Sequence, residues 1–247
     1  EGRVKMRKQS MFRQFMVIGG GAIINMLVGL FTTPLITRLV DPEQYGQATI
    51  FGTYANIALM VLSLGMDQAL MRYFYREEGL RYKKKLLWCC WTIPAILATL
   101  VFSLGSFFGA KSDFILDNEM FYLFVLYVFV LIFNRFAILL LRLTKKTNLY
   151  SALNVLQKLA YVCMALGAIK IIQGDYYRLL VVANISAFSI VTVIAMLAER
   201  KLWNPLGIRG ALSVSISEMV KYGFPLMIAN GIYMIFQAID KLSLTYF

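Results

Sequence analysis

Three charged residues lie inside long apolar stretches of this sequence and are its clearest candidates for chemistry: Arg135, Lys158 and Asp67. If the stretches are helices, Arg135 and Lys158 each lie about 10 Å inside the same membrane boundary, at 1.5 Å per residue. Asp67 is somewhat shallower. A charge near the bilayer centre costs roughly 2.5–3.5 kcal/mol on insertion scales, so each predicts a partner or a hydrated cavity.

Neutral polar residues accompany both cations. Asn154, Gln157, Lys158 and Tyr161 recur at spacings of three and four, which places them on one helical face. Such a stripe predicts a cationic wall on a hydrated cavity. The alternative is that the two cations reach the headgroups with their long stems, but short amides such as Asn154 and Gln157 cannot do so.

Two further polar faces are predicted, one in the first apolar stretch and one in the last. Asn25 marks the first, and Asn230, Gln237 and Asp240 mark the second. Asn25 and Asn230 join the candidate substrate-binding residues. Asp67 and Asp240 are the candidates for coupling to an ion, although Asp240 and Lys241 could equally form an ion pair at the membrane surface.

The elements that hold these residues follow from composition. Of 247 residues, 60% are hydrophobic and 15% charged, whereas a globular domain carries about a quarter charged residues. The charges crowd into short stretches between apolar runs of about twenty residues, the length of a membrane-spanning helix. Backbone groups in a bilayer must be satisfied within the chain, so the fold class is an all-α polytopic membrane protein.

Seven spans are predicted, with boundaries good to about three residues. They cover 14–39, 47–69, 86–109, 120–141, 150–172, 178–198 and 223–246. The N-terminal arm and alternate connectors hold 18 of the 25 Lys and Arg residues. The positive-inside rule therefore predicts a cytoplasmic N-terminus in the cytoplasmic (inner) membrane.

Four regions follow along the chain. Residues 1–13 form a basic cytoplasmic arm, 14–198 a six-helix transmembrane lobe, 199–222 a cytoplasmic linker, and 223–247 a seventh helix. Ser215 and Glu218 have capping-box spacing, and apolar residues over 207–222 share one face, so a short amphipathic surface helix is predicted in the linker. An ordinary linker is the alternative. Because the chain starts without Met and stops with the seventh helix, we expect a longer protein with a second lobe.

Several classes are disfavoured by the residues present. The sequence holds no histidine and no acidic cluster, so neither a zinc nor a haem site is expected, and no cofactor is predicted. Cys89, Cys90 and Cys163 all lie in apolar runs and are interpreted as packing residues. No nucleic-acid partner is predicted.

Short strings in the sequence resemble the polysaccharide (O-antigen type) flippases of the multidrug/oligosaccharidyl-lipid/polysaccharide exporter superfamily. Residues 33–46 are similar to the end of that family's first helix and its outer turn, and 62–65 with 69–73 to the close of its second. Residues 222–226, followed by Asp240-Lys241, are similar to its seventh helix. The resemblance covers nearly the whole chain from about Met11.

The resemblance implies the first lobe of a two-lobe transporter plus the first helix of the second, around a central cavity. It implies flipping of a lipid-linked oligosaccharide by alternating access, with membrane lipids and a coupling ion, Na⁺ or H⁺, as partners. A wall of Arg135 and Lys158 suits the pyrophosphate of such a substrate. The first span departs from the drug-exporting branch because it lacks a membrane-embedded carboxylate.

Three other functions were weighed. A cation-coupled multidrug or metabolite antiporter of the same superfamily would need a functional carboxylate at the cavity. A membrane enzyme would need acid–base residues that the short outer loops do not hold, so no enzyme is predicted. A seven-helix receptor would place its N-terminus outside, against the distribution of basic residues.

Overall fold

The computed structural model describes the backbone of residues 2–109, 118–171, 174–205 and 214–246. Side chains are described within these ranges except at 2–15, 17–18, 108–109, 118, 171, 235 and 237–246. Nine α-helices and no strands occupy the described ranges. They are α1 Gly2–Thr37, α2 Pro42–Ser63, α3 Met66–Tyr73, α4 Leu80–Gly109, α5 Asn118–Leu143, α6 Thr147–Ile171, α7 Tyr176–Ala198, α8 Arg200–Trp203 and α9 Ile216–Tyr246.

The all-α polytopic membrane class is confirmed. Five described helices, α1 and α4 to α7, are long and apolar enough to cross a membrane, and the bent pair α2–α3 makes up to six. Large apolar side chains stay exposed along these helices, as lipid-facing residues do; Phe31 is 74% exposed and Leu197 65%. The predicted seventh span corresponds to α9, and its role as a span stays a prediction.

Two predicted boundaries differ in the structure. The span expected over 47–69 is broken, because Leu64 and Gly65 adopt left-handed φ values of 46° and 69° and the chain bends by 56°. The seventh helix was expected from residue 223 but begins at Ile216. Its start is capped by Ser215, whose Oγ accepts a hydrogen bond from the Glu218 amide at 3.2 Å. The rest of the predicted amphipathic segment, 206–213, lies outside the described residues.

The described chain divides into two compact units, residues 1–48 with 138–195 and residues 49–137 with 196–247. In the first unit, α1 packs along α6. A Cβ at Gly21 would lie 2.8 Å from Ser151 Cβ, so the missing side chain lets the helices approach closely. Further along, Ile36 of α1 and Val40, just beyond its end, share an apolar cluster with Ala165 of α6.

This pairing fixes the relative direction of α1 and α6. Gly21 lies near Ser151, and Ile36 lies near Ala165. Residue numbers therefore increase in the same direction along both helices, which are parallel. Parallel spans in a membrane are separated by an odd number of crossings. If α4 and α5 each cross once, this direction requires the bent pair α2–α3 to cross as a single span.

We expect Gly21→Ala to weaken the α1–α6 contact, because the new methyl group would overlap the short Ser151 side chain. Overpacking of this kind costs about 1–3 kcal/mol. Thermal unfolding in detergent measures it, and adding Ser151→Gly should recover part of the loss. Gly20→Ala is the matched control, since a Cβ there meets nothing within 4 Å. Equal melting temperatures for Gly20→Ala and Gly21→Ala would contradict the packing.

In the second unit, α3 packs against α9 and α4. At the α2–α3 break, Gly65 meets Gly223 of α9 backbone to backbone; a Cβ on Gly223 would lie 2.6 Å from the Gly65 carbonyl oxygen. In the last turn of α3, the guanidinium of Arg72 lies 4.1 Å from the ring centre of Tyr222 of α9. The second half of the broken span is therefore held against α9 by contacts that tolerate no added side chain at either glycine.

An aromatic cluster joins α4, α5 and α8 in the same unit. Trp88, Trp91 and Trp203 have ring centres 5.4–6.4 Å apart and nearly perpendicular planes. Phe133 of α5 lies 4.8 Å from Trp91. Edge-to-face contacts of this kind stabilise packing beyond the area that they bury. The four-residue helix α8 is thereby attached to the long helices.

Candidate functional site

A cavity of about 370 Å³ lies within the second unit, between α2, α3, α5 and α9. Polar side chains form one part of its lining and methionines, Leu59 and Tyr233 the other. Its residues are Asn56, Leu59, Met60, Ser63, Gly65, Asp67, Gln68, Arg135, Met227, Asn230, Tyr233 and Met234. Three residues singled out from the sequence, Asp67, Arg135 and Asn230, are thus brought to one cavity.

Arg135 and Asp67 form an ion pair in the wall of this cavity. Arg135 Nη2 donates to Asp67 Oδ2 at 2.6 Å, and Nε donates to the same oxygen at 3.0 Å. The Asp67 side chain is 8% exposed, whereas that of Arg135 is 52% exposed. The carboxylate is therefore the buried partner, and the guanidinium is the part of the pair that a molecule in the cavity can reach.

The chain positions the pair through the break in the second span. Asp67 lies in the first turn of α3, two residues beyond left-handed Gly65, while Arg135 belongs to the uninterrupted helix α5. Asp67 Oδ2 also accepts a hydrogen bond from Gln68 Nε2 at 3.3 Å. The ion pair thus connects the short helix α3 to α5 in the wall of the cavity.

Sequence reasoning missed Asn56, Ser63 and Gln68 as cavity residues. The signal was present: Asn56, Ser63 and Asp67 are spaced by seven and four, which is one helical face. The signal is weak because each neutral residue alone is common in a long apolar helix. Only the approach of α9 and α5 to this face makes it a cavity wall.

Lys158 belongs to the first unit, where its side chain contacts the backbone of α1. Its Nζ donates to the backbone carbonyl of Asn25 at 2.8 Å, and Gly29 leaves room for the ammonium. Two sequence-predicted site residues are therefore brought together here, and the Asn25 side-chain oxygen is buried beside them with no partner among the described residues. A cavity shared by Lys158 and Arg135 would join the two units and stays a prediction.

The other residues of the predicted polar face of α6 differ in their surroundings. Asn154 and Gln157 are half-buried. Tyr161 packs against the apolar cluster of the first unit, which contains Ile36 and Ala165. Tyr161 thus serves helix packing, whereas Lys158 makes a polar contact with α1.

Most hydroxyl groups in the long helices are satisfied within their own helix. Thr53, Thr99 and Thr192, for example, each donate to the carbonyl oxygen four residues earlier. Such bonds remove the cost of a polar group in an apolar segment and leave little for a ligand. Arg135, Asp67 and Lys158 differ because their bonds join separate helices.

Two predicted polar residues of α9 and the expected absence of a metal site remain to be compared with the structure. The side chains of Gln237 and Asp240 lie outside the described residues, so Asp240 stays a candidate from the sequence alone. Among the described residues, no three His, Cys, Asp or Glu side chains gather as a metal site would require. Positive and hydrogen-bonding groups are the chemistry that this cavity offers.

Long apolar helices, with a polar, ion-paired cavity in one unit, define an all-α multi-pass membrane protein. The chain belongs to the polysaccharide biosynthesis protein family, whose model matches residues 11–247. No curated protein and no solved structure matches it. Family membership confirms the resemblance drawn from the sequence and places the protein in polysaccharide biosynthesis at a membrane.

Proposed function

We propose that the protein moves a lipid-linked oligosaccharide, a polysaccharide precursor, across the cytoplasmic membrane by alternating access. It acts as a flippase or exporter and makes or breaks no covalent bond. The observation that carries the proposal is Arg135, a half-exposed guanidinium in the cavity of a polysaccharide biosynthesis family member. The lipid-linked sugar carries a pyrophosphate, and an arginine offers its oxygens paired, charge-assisted N–H donors.

The geometry leaves Arg135 able to bind an anion. Both bonds to Asp67 use Nε and Nη2 and a single carboxylate oxygen, so Asp67 does not engage the Nη1 side of the guanidinium. A pyrophosphate with at least two negative charges competes well with one carboxylate for this cation. We propose that substrate first contacts the Nη1 side and then weakens the bond to Asp67.

Asp67 also offers a route to ion coupling. A proton on its carboxylate would cancel the ion pair and release Arg135 to the substrate, so proton entry and substrate binding would favour one another. Asp240 remains a second coupling candidate, and Na⁺ a second ion. Lys158 would supply another cation along the substrate path. The distribution of basic residues among the connectors favours loading from the cytoplasmic side.

The alternative function, a cation-coupled multidrug or metabolite antiporter, is favoured by one observation. Asp67 is a buried carboxylate in the cavity wall, as that function requires. Its ion pair with Arg135 weakens the case, because the neighbouring cation would repel a cationic solute. Transport of a cationic dye that is lost in Asp67→Asn and gained in Arg135→Gln would establish the antiporter instead.

The test is export in cells that depend on this protein. In the double variant Asp67→Asn/Arg135→Gln the pair is replaced by neutral amides of similar size, so the fold should persist while the cation is lost. We expect lipid-linked sugar to accumulate on the inner leaflet to roughly ten times the normal amount, normalised to protein level. Arg135→Lys should export partially, because it keeps the charge without the planar fork.

Arg142→Gln is the matched control for this experiment. Arg142 lies two turns further along α5 and its guanidinium packs 5.6 Å from the ring centre of Tyr150, away from the cavity lining. Its loss should leave export unchanged. Normal export by the double variant at normal abundance would refute the role of Arg135 in binding.

A further inference from the structure

The wall of the cavity formed by α2 and α3 has an unusual hydrogen-bonding character. Asn56 Nδ2 donates to the Gly52 carbonyl at 2.7 Å, and Gln68 Nε2 donates to Asp67 at 3.3 Å. Ser63 Oγ donates to the Met60 carbonyl at 2.9 Å. Each side chain thus commits one donor to the protein, and the amides of Asn56 and Gln68 each keep a carbonyl oxygen and a second N–H for a ligand.

Amides that both accept and donate suit a ligand rich in hydroxyl groups. A sugar hydroxyl can donate to an amide oxygen and accept from an amide N–H, whereas phosphate oxygens only accept and cannot use the two amide oxygens. The one strong cationic donor, Arg135, lies beside this wall in the same cavity. The cavity can therefore bind the charged part of a substrate at Arg135 and its hydroxyl groups at the neighbouring amides.

The apolar part of the cavity lining fits the same ligand. It includes Tyr233 and the thioether side chains of Met60, Met227 and Met234. The carbon-bound face of a sugar ring is apolar and packs on aromatic rings and on flexible, polarizable methionines. At about 370 Å³ the cavity is small for an oligosaccharide, so it suits the sugar next to the phosphate rather than the whole chain.

We propose that Asn56 and Gln68 form a subsite for the hydroxyl groups of the first sugar of the lipid-linked precursor, beside Arg135. The inference rests on the proposed function and adds to it the residues that recognise sugar. Selectivity among precursors would then arise where α2 meets α3, because a site built to accept hydroxyl protons penalises a ligand that lacks them.

Binding of two probes separates the subsite from the proposed function. One probe is a polyprenyl pyrophosphate, and the other is the same lipid carrying a single hexose. The purified protein should bind the hexose-bearing probe about tenfold more tightly, as two net hydrogen bonds of about 0.5–1.5 kcal/mol each would give. Asn56→Leu with Gln68→Met should bring that ratio close to one.

Thr53→Val is the matched control, since Thr53 donates within α2 and does not line the cavity. It should keep the tenfold ratio. If the double variant melts early, Asn56→Leu alone should still reduce the ratio, because Asn56 makes its bond only within α2. A ratio near one in the unaltered protein, or an unchanged ratio in the variants, would overturn the subsite and spare the proposed function. Failure to bind either probe would overturn both.

Discussion

Replacing Arg135 by glutamine is expected to destabilise the protein far more than replacing its partner, Asp67, by asparagine. Asp67 is buried and Arg135 is half-exposed, so the two losses are unequal. Without Arg135 the carboxylate stays buried and keeps the hydrogen bond that Gln68 Nε2 donates to it. Without the carboxylate, the guanidinium can turn to water in the cavity. We expect Arg135→Gln to lower the free energy of unfolding by about 3 kcal/mol, the low end for a broken buried ion pair. Asp67→Asn should lower it by about 1 kcal/mol.

Unfolding in mixed detergent, followed by circular dichroism, measures both free energies of unfolding. The double variant Asp67→Asn/Arg135→Gln should be more stable than Arg135→Gln alone, because it removes the unpaired charge. The difference between the double variant and the sum of the singles gives the coupling between the two residues. Equal effects of the single variants, adding without coupling, would show that the ion pair does not tie α3 to α5.

Gly65→Ala should be among the most damaging single substitutions in the described chain. Gly65 has a φ of +69°, which costs an ordinary L-residue about 1–2 kcal/mol. Its new methyl group would also lie within 2.1 Å of the Gly223 carbonyl oxygen, so backbone must move. Overpacking destabilises the folded state by about a further 1–3 kcal/mol. We expect the folded yield to fall severely, measured by size-exclusion chromatography of protein extracted from membranes.

Two controls separate the causes of that loss. Gly174 also has positive φ, +146°, but a Cβ there meets nothing within 4 Å, so Gly174→Ala tests backbone strain without a clash. Gly167 is helical with open space, so Gly167→Ala tests the substitution alone. Both should fold in good yield. A well-folded Gly65→Ala would mean that α3 can leave α9 at little cost, and that the close backbone contact is dispensable.

The helices were predictable because membrane insertion leaves a strong signal. Runs of about twenty apolar residues bounded by charges define a span regardless of what packs against it. The break at Leu64–Gly65 was not predictable in the same way, because hydropathy is insensitive to φ and the run continues across the bend. The start of α9 was displaced for a related reason: the cap at Ser215 was recognised, but the helix it opens continues straight into the apolar segment.

The candidate site was predictable where burial cost singles out a residue. Arg135 and Asp67 were identified from their depth alone, and the structure pairs them. Asn56 and Gln68 gave no such signal, since a neutral amide can satisfy part of its hydrogen bonding within its own helix. Lys158 was identified by depth too, but its partner is a backbone carbonyl of α1, and carbonyls leave no trace in side-chain patterns.

The aromatic cluster makes the protein its own optical probe. The chain contains three tryptophans, and Trp88, Trp91 and Trp203 all lie in that one cluster. Indoles this close exchange excitation energy, so the ultraviolet emission of the entire chain reports on a single location, the junction of α4 with α8. Because α8 follows α7 directly, any rearrangement that pulls this connector from α4 would change the emission spectrum. Such a change could be followed in real time, without a label, while substrate is added.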